Sequence, residues 1–334
     1  MKERAHTPIW RKNVSIISPL RYPGSKRRLV SYIKETLSLN ECYPDLWVES
    51  FAGGSSVSLQ LLNDGVVGQV GLIERDPWVA SFWKTVFFDT DWLINKIETI
   101  DVSIGKWHEY KQSTSCDRRE QALACLFLNR TSFSGILAQN AGPLGGRLQQ
   151  SEYSLDCRFP RETLIKRVRQ AALLSDRVAF IWNEPWLKSY SRIQGMQKRG
   201  TLPSVRDTFY YFDPPFFKKA DALYRYFFVA KDHIKLRDSI LKMKSNWLLS
   251  YDCLEQVKAL YPSDDLELAE IESIYSTGQN VGNKVSTEVI LTNLQALPTE
   301  TRIWRKTHEW KKCRSHPIFS IDSKEENIIF PALV

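Results

Sequence analysis

The 334-residue sequence lacks several features that would place it in a specialised class. No apolar run approaches the roughly 20 residues of a membrane-spanning helix. The stretch 14–20 is too short and polar for a secretion signal, and no small-residue cleavage pattern follows it. None of the six cysteines forms a C-x-x-C pair, and the five histidines do not cluster with them. We therefore expect a cytoplasmic protein with reduced thiols, no membrane association and no metal site.

The sequence also lacks internal repeats and low-complexity tracts. Its 43% apolar and 25% charged residues are ordinary for a globular protein, and its length allows about two domains. Its 46 Lys and Arg against 38 Asp and Glu give a net charge of +8, which favours a polyanion such as nucleic acid as partner.

The positive charge is concentrated at the two ends of the chain. Residues 1–34 carry nine basic side chains against one acid, and residues 301–316 carry six against one, interleaved with Trp304 and Trp310. We expect both ends to add non-specific attraction to phosphate, so trimming either one should flatten the salt dependence of DNA binding. For the second segment, a helix packed through its two tryptophans is the alternative.

A glycine-rich turn follows the first apolar run. The run at 46–48 ends in F-A-G-G-S-S at 51–56, a helical pattern follows at 57–62, and a second strand pattern at 66–73 ends at Glu74. This order predicts a βαβ unit of a parallel sheet, in which small residues admit a ligand and Glu74 accepts ribose hydroxyls. The turn is not G-x-G-x-x-G and has no basic partner for a pyrophosphate, which favours a nucleoside cofactor without phosphates. A tight turn beside a solvated acid is the alternative.

The remaining patterns predict an α/β protein with helices on both faces of the sheet. Helical spacing covers 25–39 and 231–244, and the strand-like runs lie at 178–182, 209–212, 247–250 and 288–291. Residues 86–169 break the alternation with mixed helical patterns and a polar, glycine-rich stretch. We therefore predict a mainly helical insert at 86–169, two parts of one α/β domain at 1–85 and 170–296, and a tail at 297–334.

The most informative motif is F-Y-Y-F-D-P-P-F-F at 209–217. An apolar strand delivers Asp213 to its carboxyl end, Pro214 and Pro215 stiffen the turn, and Phe216 follows. A carboxylate beside a backbone carbonyl offers two acceptors to an NH₂ group, and an aromatic face can stack a planar base. The motif is thus typical of chemistry on the exocyclic amine of a flipped nucleobase. A turn with a core aromatic is the alternative.

The motifs together resemble the Dam-type family of adenine-specific DNA methyltransferases. P-L-R-Y-P-G-S-K at 19–26, the turn at 51–56, Glu74 and D-P-P-F occur in the family's order. L-N-R-T-S-F-S-G at 128–135 and the segment 275–293 are similar to further family motifs. The resemblance spans about residues 19–294.

The resemblance implies a class I, Rossmann-like methyltransferase sheet and S-adenosylmethionine as methyl donor. It implies that Asp213, Pro214, Pro215 and Phe216 form the catalytic motif. Glu74 would bind the ribose, with Asp76 in reserve, and Asn183 or Trp186 would lie near the cofactor's adenine. The implied cofactor-binding residues are Tyr22, Lys26, Phe51, Gly53, Glu74 and Asp213.

The same resemblance implies that the insert reads double-stranded DNA around a flipped base. Relatives that read GATC carry an arginine where this chain has Ala138, so GATC specificity is not expected. Two further departures are Phe216 in place of tyrosine and Ser55 in place of the third glycine of the turn. The predicted DNA contacts are Arg130, Ser132, Phe133, Asn140, Arg147 and Lys284.

Two other functions remain open at this point. Methylation of cytosine N4 uses the same kind of amine, and a DNA-binding subunit with weak turnover would keep the same fold. The resemblance leaves the tail at 297–334 unmatched, so a cognate nuclease or a defence-system subunit is a further possible partner there.

Overall fold

The computed structural model describes residues 15–217, 220–253, 255–262, 265–275 and 284–303. Within these ranges one seven-stranded sheet has the order β3-β2-β1-β4-β5-β7-β6. Its strands are β1 Leu46–Glu49, β2 Gln69–Glu74, β3 Val178–Asn183, β4 Thr208–Phe212, β5 Asn246–Asp252, β6 Glu267–Tyr275 and β7 Lys284–Thr292.

The strand directions place the functional edge of the sheet. Strands β1 to β5 pair in parallel, and β7 inserts antiparallel between β5 and β6. From β1 the chain continues outward to β2 and β3, whereas β4 and β5 extend the sheet on the other side of β1. The order therefore reverses between β1 and β4, where the carboxyl ends of open parallel sheets form a ligand crevice.

Helices cover both faces of the sheet, as the sequence predicts. Alternate strand residues divide between two apolar clusters: Trp47 and Tyr211 face one side, while Val48 and Phe212 face the other. Helices α1 to α7 contribute to the first cluster and α8, α10 and α11 to the second. The helices are α1 Val30–Leu39, α2 Ser56–Asn63, α3 Pro77–Phe88, α4 Thr90–Thr99, α5 Ile104–Lys111, α6 Arg118–Thr131, α7 Arg161–Ala172, α8 Trp186–Lys198, α9 Ala220–Leu223, α10 Ala230–Ile240 and α11 Glu255–Leu260.

The segment predicted as an insert is mainly helical but shares the core of the sheet. Helices α4 to α7 lie between α3 and β3 along the chain, and residues such as Leu93, Trp107 and Val168 belong to the same apolar cluster as Trp47 of β1. A continuous core makes this segment a rigid extension of the α/β body. Its role in reading DNA stays a prediction.

The segment after β7 returns to the first helix. The Asn40 side-chain amide donates to the Ala296 carbonyl at 2.8 Å, and its oxygen accepts from the backbone amides of Gln295 and Ala296. The Tyr32 hydroxyl donates to the Pro298 carbonyl at 3.2 Å. These bonds close the two ends of the described fold on each other.

The basic ends of the chain lie largely outside the described residues. This holds for residues 1–14 and 304–334, including Trp304, Trp310 and Cys313, so the predictions made for them stay predictions. In the part of the chain that is described, no helix combines the length and apolar character needed to cross a bilayer. The five described cysteines are free thiols.

Candidate active site

A cavity of about 720 Å³, including its open mouth, lies at the carboxyl edge of the sheet. The wall is built by the loop before α1, the β1–α2 turn, the end of β2, the loop after β4 and residues 224–228. The cavity therefore collects the separate sequence motifs at the point where the strand order reverses.

Asp213 and Lys26 form an ion pair at the floor of this cavity. Nζ of Lys26 lies 3.0 Å from Oδ1 of Asp213, and the lysine is only 4% exposed. The same ammonium donates to the Gly24 carbonyl at 2.8 Å. Burial raises the pKa of the Asp213 carboxyl, while the charge and hydrogen bond of Lys26 and the hydrogen bond from Ser250 oppose that rise.

Ser250 is a member of the site that sequence reasoning missed. This fully buried residue of β5 donates from its hydroxyl to Oδ1 of Asp213 at 2.9 Å. Its Oγ is also 2.9 Å from the Tyr211 hydroxyl, and burial raises the pKa of that phenol. Tyr211 thus stays protonated and donates to Ser250, which donates to Asp213. The only sequence signal was a serine near the end of an apolar strand.

The loop after β4 is held on both sides. The Phe216 ring centre lies 5.4 Å from Nζ of Lys26, and the Phe217 amide donates to Asp252 at 3.2 Å. Gly24 has φ of +73°, and a Cβ there would lie 2.8 Å from the Phe216 ring, so only glycine fits. The predicted catalytic segment is thus packed against the loop before α1. Pro215 lines the cavity.

The glycine turn after β1 packs directly under Tyr22. A Cβ on Gly53 would lie 2.7 Å from the Tyr22 ring, and Gly53 has φ of +43°. The Trp83 indole donates to the Gly53 carbonyl at 2.8 Å, which fixes the turn from below. Ser55 has φ of +45°, a left-handed conformation that glycine adopts more readily than serine. Ser55 therefore takes the place of the third glycine of the family motif, although its left-handed conformation costs backbone energy.

The two acids after β2 have different environments. Glu74 lines the cavity, and its two oxygens accept from the amides of Gly53 and Asp76 at 2.9 Å each. Burial raises the pKa of Glu74 to about 7. Asp76 does not line the cavity; it caps α3 by accepting from the Trp78 amide and pairs with Arg225 at 3.0 Å. The geometry therefore favours Glu74 over Asp76 as the ligand-facing acid.

A third acid, Glu49, was not singled out from the sequence. It ends β1, lines the cavity and is only 4% exposed. The Ser58 hydroxyl donates to it at 2.5 Å, yet burial still raises the pKa of Glu49 to about 8. The carboxyl is therefore largely neutral at pH 7, which reduces the negative charge of the cavity.

Two predicted DNA contacts, Arg130 and Ser132, lie in the interior and are corrected here. Helix α6 continues to Thr131 and turns both side chains inward. The Arg130 guanidinium donates to the Pro19 carbonyl, and the Ser132 hydroxyl accepts from the Trp107 indole at 3.1 Å. Arg130 thus braces the loop before α1 and Ser132 bonds α5, so neither side chain is presented to a DNA strand.

The other predicted DNA contacts that the structure describes are exposed. Phe133 is 53% exposed, and Asn140 and Arg147 are also exposed. The Phe133 loop is tied to the cavity wall because the Asn129 side chain bonds both backbone groups of Arg21, next to Tyr22. Lys284 begins β7, and its side chain lies outside the described residues.

Neither residue expected near the cofactor's adenine lines the cavity. The Asn183 amide donates to the Glu74 and Arg75 carbonyls at 3.0 Å each, and Trp186 packs edge-on against Phe212. This expectation is corrected because both side chains are occupied by the sheet itself. The aromatic wall is built instead by Phe51, Tyr226, Phe227 and Phe228.

The cavity can hold a ligand through carboxylates, aromatic rings and backbone groups. Among the described residues, no group of three or more His, Cys, Asp and Glu side chains is placed to hold a metal ion. The Asp213 carboxyl, beside the Phe216 ring and paired with Lys26, can accept hydrogen bonds from a planar amine.

Comparison with known families agrees with the resemblance read from the motifs. Residues 22–142 match the family model of the D12 class N6 adenine-specific DNA methyltransferases, whereas no curated protein matches the chain. The matched region holds the loop before α1, the glycine turn, Glu74 and the first half of the helical segment. The match confirms the predicted α/β methyltransferase fold and the enzyme class, a DNA methyltransferase specific for adenine N6, and does not favour the cytosine alternative.

Proposed function

We infer that this adenine-specific DNA methyltransferase takes the methyl group from S-adenosylmethionine and transfers it to adenine flipped out of double-stranded DNA. The observation that carries the proposal is the Lys26–Asp213–Ser250 arrangement at the floor of the cavity. It supplies a partly buried carboxyl acceptor, paired with a lysine, where the loop before α1 meets the loop after β4. The recognition sequence is proposed to differ from GATC because Ala138 occupies the arginine position.

The residues of the cavity fit S-adenosylmethionine. Gly53 and Gly54 line the cavity beside Tyr22, whose ring packs closely on the turn, and Phe51 adds an aromatic wall. Glu74 already accepts two amide bonds, and a carboxylate has about four acceptor positions, so two remain for ribose hydroxyls. The proposed cofactor contacts are Tyr22, Lys26, Phe51, Gly53, Glu74 and Asp213.

The reaction needs little from the protein beyond position and charge. Bound S-adenosylmethionine supplies an electrophilic methyl group. The lone pair of the adenine amine is delocalised into the ring, which makes the nitrogen a weak nucleophile. The Asp213 carboxylate and the Pro214 carbonyl would accept hydrogen bonds from the two N–H groups of the amine, so the nitrogen becomes more tetrahedral and its lone pair is free to react. The N–C bond would form as the sulfonium S–C bond breaks, and the amine would then release one proton to Asp213 or to water. Such positioning and electrostatic effects account for most of the rate.

Two residues support this role of Asp213. Lys26 favours the ionised form of the carboxyl by opposing the rise in its pKa, and Ser250 fixes the direction of its acceptor oxygen. Unstacking the base costs a few kcal/mol. Stacking on Phe216 returns about 1–3 kcal/mol of that cost.

DNA contact is proposed for the exposed side chains Phe133, Asn140 and Arg147, with Lys284 and the two basic ends adding phosphate contacts. A nuclease or defence-system subunit stays the proposed partner of the tail at 297–334. We propose the cytoplasm as the site of action.

Expression in a methylation-free host, followed by single-molecule sequencing of the host DNA, tests this function. We expect N6-methyladenine in a defined motif, and none in cells that express Asp213→Asn at the same level. Modified cytosine in place of adenine would contradict the assigned base. DNA without any modification, from a protein that binds DNA, would favour a binding subunit instead.

A further inference from the structure

We propose that Arg225 is a positioning residue that holds an aromatic flap over the cofactor cavity through its ion pair with Asp76. The flap is defined as residues 224–228. The proposal rests on the proposed function, because the ligand under the flap is S-adenosylmethionine. It gives Asp76 a role that differs from the ribose contact considered for it from the sequence.

The flap forms one wall of the cavity. Tyr224, Tyr226, Phe227 and Phe228 all line it. Tyr226 is 37% exposed and Phe227 42%, so both rings present apolar surface toward the open side of the cavity. A ligand in the cavity would cover part of this surface and would pack against the flap.

Arg225 fastens the flap to a rigid anchor. Its Nη1 lies 3.0 Å from Oδ1 of Asp76, and its guanidinium carbon lies 3.8 Å from the centre of the Trp78 ring. Asp76 cannot turn away easily, because it also caps α3, and Trp78 is only 6% exposed. A planar guanidinium suits both contacts at once, since it can pair with a carboxylate and stack on an aromatic face.

The flap's other described polar contacts are at Tyr224, whose amide donates to the Ala220 carbonyl at 2.9 Å and whose hydroxyl donates to the Pro23 carbonyl at 3.4 Å. Tyr224 stacks on Tyr22 with ring centres 5.9 Å apart, and Phe228 meets Phe51 edge-on at 5.5 Å. Arg75 lies over the Tyr226 ring at 5.3 Å. Among the residues that the structure describes, the Arg225–Asp76 contact is the flap's one ion pair. The side chains of this pair are 25% and 6% exposed, so solvent screens it only partly.

The consequence falls on cofactor binding rather than on methyl transfer. Arg225 does not line the cavity, and the Lys26–Asp213–Ser250 arrangement makes no described contact with it. Loss of the contact should free the flap, so that the cofactor dissociates faster while the rate of the saturated enzyme changes little. We expect a roughly tenfold rise in both the dissociation constant and the dissociation rate. The expected size follows from the two contacts that are lost, a partly buried ion pair with Asp76 and a cation–ring contact with Trp78.

The test compares Arg225→Ala, Arg225→Lys and Asp76→Asn with the wild-type protein. Calorimetry gives the dissociation constant for S-adenosylmethionine, and stopped-flow displacement gives its dissociation rate. Arg192→Ala is the matched control, because Arg192 also stacks on a tryptophan, Trp182, at 4.0 Å and lies 3.7 Å from Glu184, outside the cavity wall. We expect the control to bind like the wild-type protein and Asp76→Asn to bind like Arg225→Ala.

Amide hydrogen exchange of the cofactor-free protein gives a readout that does not depend on activity. Peptides that cover the flap should exchange faster in Arg225→Ala, with little change elsewhere. The double variant Arg225→Ala/Asp76→Asn should be no worse than either single variant, because both remove the same contact. If Arg225→Ala does not fold, Arg225→Lys carries the test, with an expected effect of about threefold since it keeps the charge and loses the planar stack.

Two negative results have different meanings. If the wild-type protein does not bind S-adenosylmethionine with or without DNA, the proposed function fails. If the wild-type protein binds it and the Arg225 variants show the same dissociation constant and rate, the function stands and the role of Arg225 is overturned.

Discussion

Nζ of Lys26 lies 3.0 Å from Oδ1 of Asp213, so the loop before the first helix and the loop after β4 meet in one ion pair. A lysine that is 4% exposed would be costly without a partner, and a buried carboxyl would tend to stay protonated without a cation. Each residue therefore stabilises the charged form of the other. In the proposed reaction Asp213 accepts hydrogen bonds from the adenine amine, and Lys26 supports it by stabilising its negative charge.

Replacing Asp213 by asparagine keeps its shape and removes its charge. We expect Asp213→Asn to lower the rate of methyl transfer by at least about 10²–10³-fold, because the charged acceptor for the adenine amine is lost. Radiolabelled methyl transfer to DNA measures this rate. The variant should also lose about 1–3 kcal/mol of unfolding free energy, since Lys26 loses its charged partner and keeps the Gly24 carbonyl. A wild-type rate in a folded Asp213→Asn protein would contradict the assignment.

Ser250→Ala removes the hydrogen bond to Asp213 without touching the ligand-facing surface. That bond lowers the pKa of Asp213, so its loss should raise this pKa. Because Asp213 must be ionised, activity is lost as the pH falls through its pKa, and the acid limb of the pH–rate profile should move to higher pH. We expect about tenfold lower kcat near pH 7. A profile identical to that of the control Ser239→Ala, a half-buried serine of α10 outside the cavity wall, would exclude a positioning role for Ser250.

Glu49→Gln tests the neutral acid of the cavity through the pH dependence of stability. The pKa of Glu49 is about 8 in the folded protein against an ordinary 4.5, so the folded state holds a proton that the unfolded state releases. This contribution is complete below pH 4.5 and is lost as the pH rises through 8. We measure the unfolding free energy of both proteins in urea at pH 6 and at pH 9. Relative to the wild-type protein, the unfolding free energy of Glu49→Gln should be higher at pH 9 than at pH 6 by at least about 1 kcal/mol. An equal difference at both pH values would show that Glu49 titrates normally.

Phe133→Ala tests the exposed loop beside the cavity. Aromatic contact with a base contributes about 1–3 kcal/mol, so we expect roughly tenfold weaker DNA binding by fluorescence anisotropy. Thermal stability should hardly change, because the ring is 53% exposed. Phe88→Ala is the matched control: its ring is 57% exposed, and it ends α3, whose twelve residues lead about 18 Å away from the carboxyl edge of the sheet. Equal affinities of the two variants for DNA would remove Phe133 from the DNA contact.

The sequence predicted the parts of the site that lie in continuous motifs. The glycine turn, Glu74 and Asp213 follow apolar strands, and parallel strands bring such ends to one edge. Ser250 and Glu49 were missed because a single polar residue at a strand end has the same pattern whether it is solvated or buried beside a partner. Only the pairing of β5 with β4 brings Ser250 to Asp213.

Other predictions failed for reasons of packing. In L-N-R-T-S-F-S-G, Arg130 and Ser132 look like loop residues, yet α6 continues through Thr131. Both side chains are buried and bond interior partners, the Pro19 carbonyl and the Trp107 indole. Strand β6 has acids at Glu267, Glu270 and Glu272, so its apolar signal is weak. It forms because β7 pairs with it along its full length. Such outcomes depend on partners that lie far away in the chain.

The contacts of Asn40 with Gln295 and Ala296 join an early part of the chain to a late one, so the fold cannot be completed until both have been synthesised. The glycine turn and Glu74 leave the ribosome early, but β4 must still insert beside β1, and β7 must reach its place between β5 and β6. At about 5–20 residues per second, the nascent chain spends many seconds with its first βαβ unit exposed along one edge. The enzyme therefore becomes able to bind its ligands only after β4 and the strands beyond it have been made, and until β4 pairs with β1 the open β1 edge is the part that chaperones would need to protect.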